Sequence, residues 1–299
     1  MLRRFAKTKI NLASPCSRLT SETADLYPSP MPSKYIDVQG IATFLRHTGP
    51  TTLPEVPPVL SRGEIVLCIH HAGGNSRNFD ALSANLAANH SPVSFDLPGH
   101  DRSGSQMSLG SIEAMADFAA GVLKSLAVDR PAVVVGHGMG GNVALQMALE
   151  HSDVVRAVAV INCSAQYSCG DDLIERARLV SVGRARREFE IKAFAEGCDA
   201  KIIRSGFMDT LKTDPRVIYP NLMAMRDWAG TSRLTEITVP TLVCVGDSDT
   251  DATRAESERM SNVIPGAEYR GVVGAAHMIP TEQPEALASA LNEFLGALS

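Results

Sequence analysis

Several large protein classes are excluded by what this sequence lacks. Its six cysteines, Cys16, Cys68, Cys163, Cys169, Cys198 and Cys244, are scattered, with no Cys-x-x-Cys pair. That rules out a disulfide-dense scaffold, offers no zinc-binding spacing and suits a reducing compartment. No apolar run approaches the roughly 18 residues that a membrane span needs. Basic residues are not in excess: 28 Lys and Arg against 33 Asp and Glu leave a net charge of −5. Phosphate neutralisation therefore cannot drive binding, and nucleic acid is excluded as a partner. No internal repeat is visible, and Trp228 is the only tryptophan.

What is present fits a globular chain. Its 299 residues are 44% hydrophobic and 20% charged, enough to bury a substantial core and incompatible with whole-chain disorder.

Residues 1–32 stand apart. Arg3, Arg4, Lys7, Lys9 and Arg18 precede the first acidic residue, Glu22, and Ser, Thr and Pro are frequent. Without an apolar core this is not a secretory signal, although a basic, Ser-rich, acid-poor start is the composition of organellar transit segments. A flexible extension, or a true start at Met31, accounts for it as well. The expectation is a flexible extension on a cytoplasmic protein, with mitochondrial targeting as the alternative.

From Ser33 onward the pattern is regular. Residues 33–46 read as a hairpin turning at Gly40, and a Pro-rich connector covers 49–58. Apolar runs at 64–69, 93–95, 132–135, 154–161 and 241–245 read as strands. Between them Phe79, Leu82, Leu86 and Ala87, then Met115, Phe118, Ala119, Val122 and Leu126, then Val143, Ala144, Met147 and Ala148 recur at helical spacing. Ser111 is placed to cap the second of these helices. Alternation at this spacing predicts an α/β fold, a doubly wound and mostly parallel sheet flanked by helices. Ligands in such sheets bind at the carboxyl ends of the strands.

One segment breaks the alternation. Residues 164–236 show helical stretches, at 171–196 and 214–229, and no strand pattern. The predicted organisation is a core in two parts, 33–163 and 237–299, with 164–236 inserted as a helical cap.

Gly136-His137-Gly138-Met139-Gly140-Gly141 lies between an apolar strand and a helix, where a nucleophile elbow holds a serine on a sharp turn. Here the central residue is Gly138, which has no side chain with which to attack. Around it the chain from about Ser33 to its end resembles the α/β-hydrolase superfamily, of the capped esterase, lactonase and C–C hydrolase type. His70-His71-Ala72-Gly73-Gly74 resembles the His-Gly-x-Gly oxyanion loop, with His71 in the usual Gly position. Residues 96–103 resemble the D-x-P-G-H-G-x-S turn, with Asp101 in a Gly position. The elbow resembles G-H-S-M-G-G. Gly246-Asp247-Ser248-Asp249 and Gly274-Ala275-Ala276-His277 follow the strands after which the family places its acid and its histidine.

The resemblance implies His277 as general base and Asp249 as the acid that orients it, with Asp247 and Asp251 as the other candidates. It implies that the backbone N–H groups of Ala72 and Met139 form an oxyanion hole. His71, His137 and Trp228 are the residues expected to line the substrate pocket. Asp96 and His100 read as turn-bracing residues. His70 and His71 read as shapers of the oxyanion loop, since no carboxylate or Cys partner stands at metal-ligand spacing. No metal and no organic cofactor is implied.

Gly138 admits three readings: it replaces a serine, it is native to a binding protein or pseudo-enzyme, or it replaces the aspartate of dehalogenase-like relatives. Ala72-Gly73 and Met139 disfavour the third. The expected function is hydrolysis of a carboxylic ester, lactone or related small-molecule carbonyl substrate, impaired by the missing nucleophile. The alternative is a lyase-like enzyme or ligand-binding pseudo-enzyme that uses His277 and Asp249 alone. Oligomeric state is open, with a homodimer allowed for.

Overall fold

A computed structural model describes residues 31–167 and 170–298; the N-terminal segment whose targeting role was considered above lies, but for its last two residues, outside them. The described chain opens with a hairpin in which β1 (Ser33–Val38) and β2 (Ile41–His47) pair antiparallel. Gln39 and Gly40 make its turn with φ of 55° and 80°, the left-handed pair that matches the twist of hairpin strands.

Strands and helices then alternate: β3 (Ile65–Ile69), α1 (Asp80–Leu86), β4 (Ser91–Phe95), α2 (Ile112–Ser125), β5 (Ala132–His137), α3 (Met139–Glu150) and β6 (Val155–Ile161). An excursion carries α4 (Asp171–Ser181), α5 (Ala200–Lys212) and α6 (Pro215–Asp227). The chain returns through β7 (Thr241–Gly246), α7 (Asp251–Val263), β8 (Glu268–Val272), α8 (Ile279–Glu282) and α9 (Pro284–Gly296). Ser111 accepts from the Ala114 N–H and caps α2 as its position predicts.

These strands form one eight-stranded sheet in the order β1-β2-β4-β3-β5-β6-β7-β8. β2 runs antiparallel to both neighbours, and every pair from β4 to β8 is parallel. The doubly wound, mostly parallel sheet expected from the sequence is the observed fold. Strands β3, β5 and β7 are buried along their whole length, which is why they read as continuous apolar runs. Alternating side chains feed two cores. Leu67, Ile69 and Val134 pack with α2 and α3 on one face, while Val66, Cys68, Val133 and Val135 pack with Leu82 and Leu86 of α1 and Leu287 and Leu291 of α9 on the other.

Within the excursion the helices differ from the predicted stretches. A single helix over 171–196 is not formed. α4 stops at Ser181 because Gly183 takes φ 71°, and the Gly183 and Arg184 N–H groups turn back to the carbonyls of Val180 and Leu179. The sequence pattern also passes over α5, which Asp199 starts by accepting the Lys201 N–H. The strand that the resemblance implies before Gly274 is β8, and its bounds were not marked because three of its five residues are exposed. Among the described residues no helix is long and apolar enough to cross a membrane.

Candidate active site

The carboxyl ends of β3, β5, β6 and β7 meet around Gly138, the residue between β5 and α3. Its φ of 55° and ψ of −120° lie where L side chains rarely go, so an elbow residue with a side chain would be strained there. The turn is also tight. A Cβ on Gly136 would stand 2.0 Å from the Gly140 carbonyl oxygen, and one on Gly140 would stand 2.0 Å from that of Ile69. Glycine at these two positions is a packing requirement that lets the start of α3 seat against β3.

Two side chains from the far end of the chain complete this corner. Asp249 follows β7; its Oδ1 accepts the Thr250 N–H at 2.6 Å and its Oδ2 lies 3.0 Å from His277 Nδ1. The carboxylate fixes the imidazole with its proton on Nδ1, which leaves the Nε2 lone pair free. That Nε2 lies 3.7 Å from the position a Cβ on residue 138 would take. The Asp249 side chain is 4% exposed and that of His277 32%, so the acid is enclosed and the ring is reachable. The two neighbouring carboxylates are engaged elsewhere. Asp247 accepts the Gly274 N–H and the Ser248 hydroxyl, and Asp251 pairs with Arg254 on the surface.

The loop that carries His277 is held from several directions. Its N–H donates to the Ala193 carbonyl at 3.0 Å. Its carbonyl accepts from His137 Nε2 and from Asn162 Nδ2, both at 2.8 Å. Asn162, at the end of β6, also donates to the Ala276 carbonyl and accepts the Gly246 N–H. Glu282 accepts the Ala276 and Met278 N–H groups on one oxygen and the Ala195 N–H on the other, at 3.1, 3.0 and 2.6 Å. Burial raises the Glu282 carboxyl above its ordinary range, and those three donors oppose the rise.

The loop after β3 is equally braced. His70 donates from Nδ1 to the His71 carbonyl at 2.8 Å and accepts the Leu97 N–H at Nε2. Gly74 N–H reaches the same carbonyl at 2.9 Å. These bonds orient the peptide that bears the Ala72 N–H. From the excursion, Asn221 Nδ2 donates to the Ala72 carbonyl and to His100 Nε2, and Thr213 Oγ1 donates to the Gly73 carbonyl. Met139 N–H stands in the first turn of α3, where backbone donors have no acceptor within the helix. Asp96 accepts the Ser76 and Arg102 N–H groups and braces its turn. Desolvation lowers the pKa of His70, His100 and His137, and takes His71 down to about 3, so these imidazoles are neutral near pH 7.

The structure thus brings Gly138, His277, Asp249, His71 and the peptides of Ala72 and Met139 to one corner. Two expected pocket residues require correction. His137 is fully enclosed, its ring centroid 5.1 Å from those of both His71 and His277, so it backs the corner instead of facing a ligand. Trp228 is 6% exposed in the core, and its Nε1 donates to Gln146 two turns along α3. Asn162, Thr213, Asn221 and Glu282 went unnoticed in the sequence. Each acts on backbone groups distant in the chain, and no local pattern announces such contacts. Among the described residues no group of three His, Cys, Asp or Glu side chains is placed to hold a metal ion.

Comparison with known proteins follows the same line. A sequence profile described as the alpha/beta hydrolase family matches residues 65–290. A pimeloyl-[acyl-carrier protein] methyl ester esterase of Neisseria meningitidis is 26% identical over 243 residues, 77% of this chain and 93% of that protein. A 2-(acetamidomethylene)succinate hydrolase of Mesorhizobium japonicum is 24% identical over 294 residues, 92% of this chain and 99% of its own. Among solved structures, a thermophilic esterase from Thermogutta terrifontis matches with a TM-score of 0.76 at 24% identity, covering 89% of this chain and 99% of that one. An enol-lactonase from Burkholderia xenovorans matches with a TM-score of 0.72 at 20% identity, covering 88% and 99%. At these identities the two structures speak for the fold.

Proposed function

Because the chain belongs to the alpha/beta hydrolase family, we propose that it binds a small carboxylic ester, lactone or related carbonyl compound at Gly138 and directs hydrolytic chemistry at its carbonyl carbon. One observation carries this reading: His277, backed by Asp249, aims Nε2 at the place where a side chain on residue 138 would begin, 3.7 Å away. A serine hydroxyl, one bond beyond that position, has a rotamer that points it at Nε2, toward the 2.6–3.2 Å or so at which a base activates a nucleophile. The esterase and hydrolase activities that name the two sequence relatives support the same substrate class.

In this reading the Ala72 and Met139 N–H groups receive the oxygen of the carbonyl as it gains charge. The excursion over 164–236 is the cap. It touches both sides of the corner, through Ala193 and Ala195 at the His277 loop and through Thr213 and Asn221 at the Ala72 loop.

Gly138 closes the covalent route. What remains is attack by water: His277 Nε2 takes a proton as the water oxygen bonds to the carbonyl carbon, then returns it to the departing alkoxide as the C–O bond breaks. This is a slow reaction. In a Ser-His-Asp enzyme, loss of the serine costs about 10⁶ in kcat and leaves about 10³–10⁴ over water. The bare elbow favours a second reading, a carbonyl-binding or lyase-like protein in which His277 moves a proton with no hydrolysis.

Gly138→Ser separates the two. The variant is expected to hydrolyse a short p-nitrophenyl ester and to label covalently with a fluorophosphonate probe, with both signals lost on adding His277→Ala. A folded Gly138→Ser protein that neither turns over nor labels defeats the hydrolase reading.

A further inference from the structure

The side chain that crowds the elbow is that of His71. The position a Cβ on residue 138 would take lies 3.1 Å from His71 Cβ and 3.8 Å from its Cα. Non-bonded carbons settle at about 3.5–4.0 Å, so any side chain at 138 is compressed unless His71 yields by a few tenths of an ångström.

His71 is poorly placed to yield. Its carbonyl is held by His70 Nδ1 and by the Gly74 N–H, which pins the backbone that carries the Cβ. Its ring lies over Gly74, where an added Cβ would meet Cδ2 at 2.7 Å and Nε2 at 2.8 Å. On its other side the ring meets His137 edge-on, and His137 is enclosed and tied to the His277 carbonyl. The imidazole thus lies against Gly74 and His137, while the Cβ that faces Gly138 is held by the pinned backbone and stays in place when the imidazole is removed.

We infer that His71 and Gly138 are a matched pair, in which the Cβ of His71 decides how readily the elbow tolerates a side chain and so how fast a covalent nucleophile placed there can act. His71 is a specificity-determining residue for the mode of attack. The steric half of this inference is independent of any activity; the catalytic half rests on the hydrolase reading above. A serine placed at 138 alone is then hindered. Its release needs the Cβ of residue 71 removed, and loss of the imidazole alone is not sufficient.

The contrast between alanine and glycine at position 71 isolates that atom. Thermal unfolding of Gly138→Ala is compared in three backgrounds: native, His71→Ala and His71→Gly. Backbone strain at 138 is common to all three and cancels in the cycle. The Tm loss caused by Gly138→Ala is expected to be at least halved in His71→Gly and unchanged in His71→Ala; equal losses in all three overturn the pair. A crystal structure of the Gly138→Ala variant supplies a check that needs no glycine at 71. His71 Cβ displaced by a few tenths of an ångström supports the pair, and an undisturbed His71 refutes it.

The catalytic half is read by fluorophosphonate labelling. H71G/G138S is expected to label about tenfold faster than G138S, with H71A/G138S no faster. Thermal coupling with no labelling in any serine variant keeps the pair and removes the hydrolase reading. Equal labelling rates without thermal coupling keep the hydrolase reading and remove the pair.

Discussion

His137 donates its Nε2–H to the carbonyl of His277 at 2.8 Å, across 140 residues of sequence. A residue adjoining the elbow thereby fixes the backbone of the imidazole that faces the elbow. The bond joins the end of β5 to the loop after β8, two parts that must hold a constant separation if His277 is to act on anything bound at Gly138.

Asp249 is the only one of three nearby carboxylates within hydrogen-bond distance of His277 Nδ1. In the Gly138→Ser background, Asp249→Asn is expected to slow fluorophosphonate labelling by about 10⁴, the size of effect that loss of the orienting acid has in a triad. Asp247→Asn and Asp251→Asn are expected to stay within a few-fold of the parent. Labelling rates of the four proteins decide the assignment.

Glu282 joins the cap to the His277 loop through three backbone donors. Glu282→Gln removes the charge and leaves at least one of those N–H groups without an acceptor. The expected loss is about 1–3 kcal/mol, read as a lower urea midpoint. Hydrogen exchange at residues 193–195 and 276–278 should rise while exchange in β5 stays put. Unchanged exchange at both segments contradicts the tie.

Stability should fall as the pH drops below about 6.5, where unfolded histidine takes up protons. His70, His71, His100 and His137 have native pKa values pushed down by burial, so the unfolded chain binds protons that the native state refuses. Each such group lowers stability by up to about 1.4 kcal/mol per pH unit until its native pKa is reached. Denaturation midpoints measured from pH 7.5 to 5.5 check the slope, and a flat profile would show that these rings are not held neutral.

Gly140→Ala is expected to be far more damaging than Gly138→Ala. Its Cβ would meet the Ile69 carbonyl oxygen, a rigid backbone atom, at 2.0 Å. A loss above about 4 kcal/mol, the range reserved for core disruption, or failure to fold is the anticipated result. Comparative expression and thermal unfolding of the two variants test it.

The fold was legible in the sequence wherever burial forces a local pattern. Strands buried on both faces must be apolar throughout, so β3, β5, β6 and β7 announced themselves, and the glycines of the elbow stood out because two backbones pass too close for a side chain. The order of the motifs likewise placed Asp249 and His277 beside the elbow. The bounds of the exposed edge strand β8 and the break in the helix of the excursion were not legible, since neither obeys a strict apolar period.

Residue type and spacing, then, determined the sheet, the elbow and the identity of the groups around it. Only the tertiary structure could show Asp249 Oδ2 3.0 Å from His277 Nδ1 with Asp247 and Asp251 engaged elsewhere, send Trp228 into the core and enclose His137. It alone revealed Asn162, Asn221 and Glu282, and the closeness of His71 to Gly138. Those outcomes depend on contacts between backbone atoms far apart in the chain, and a linear sequence carries no record of the distances between them.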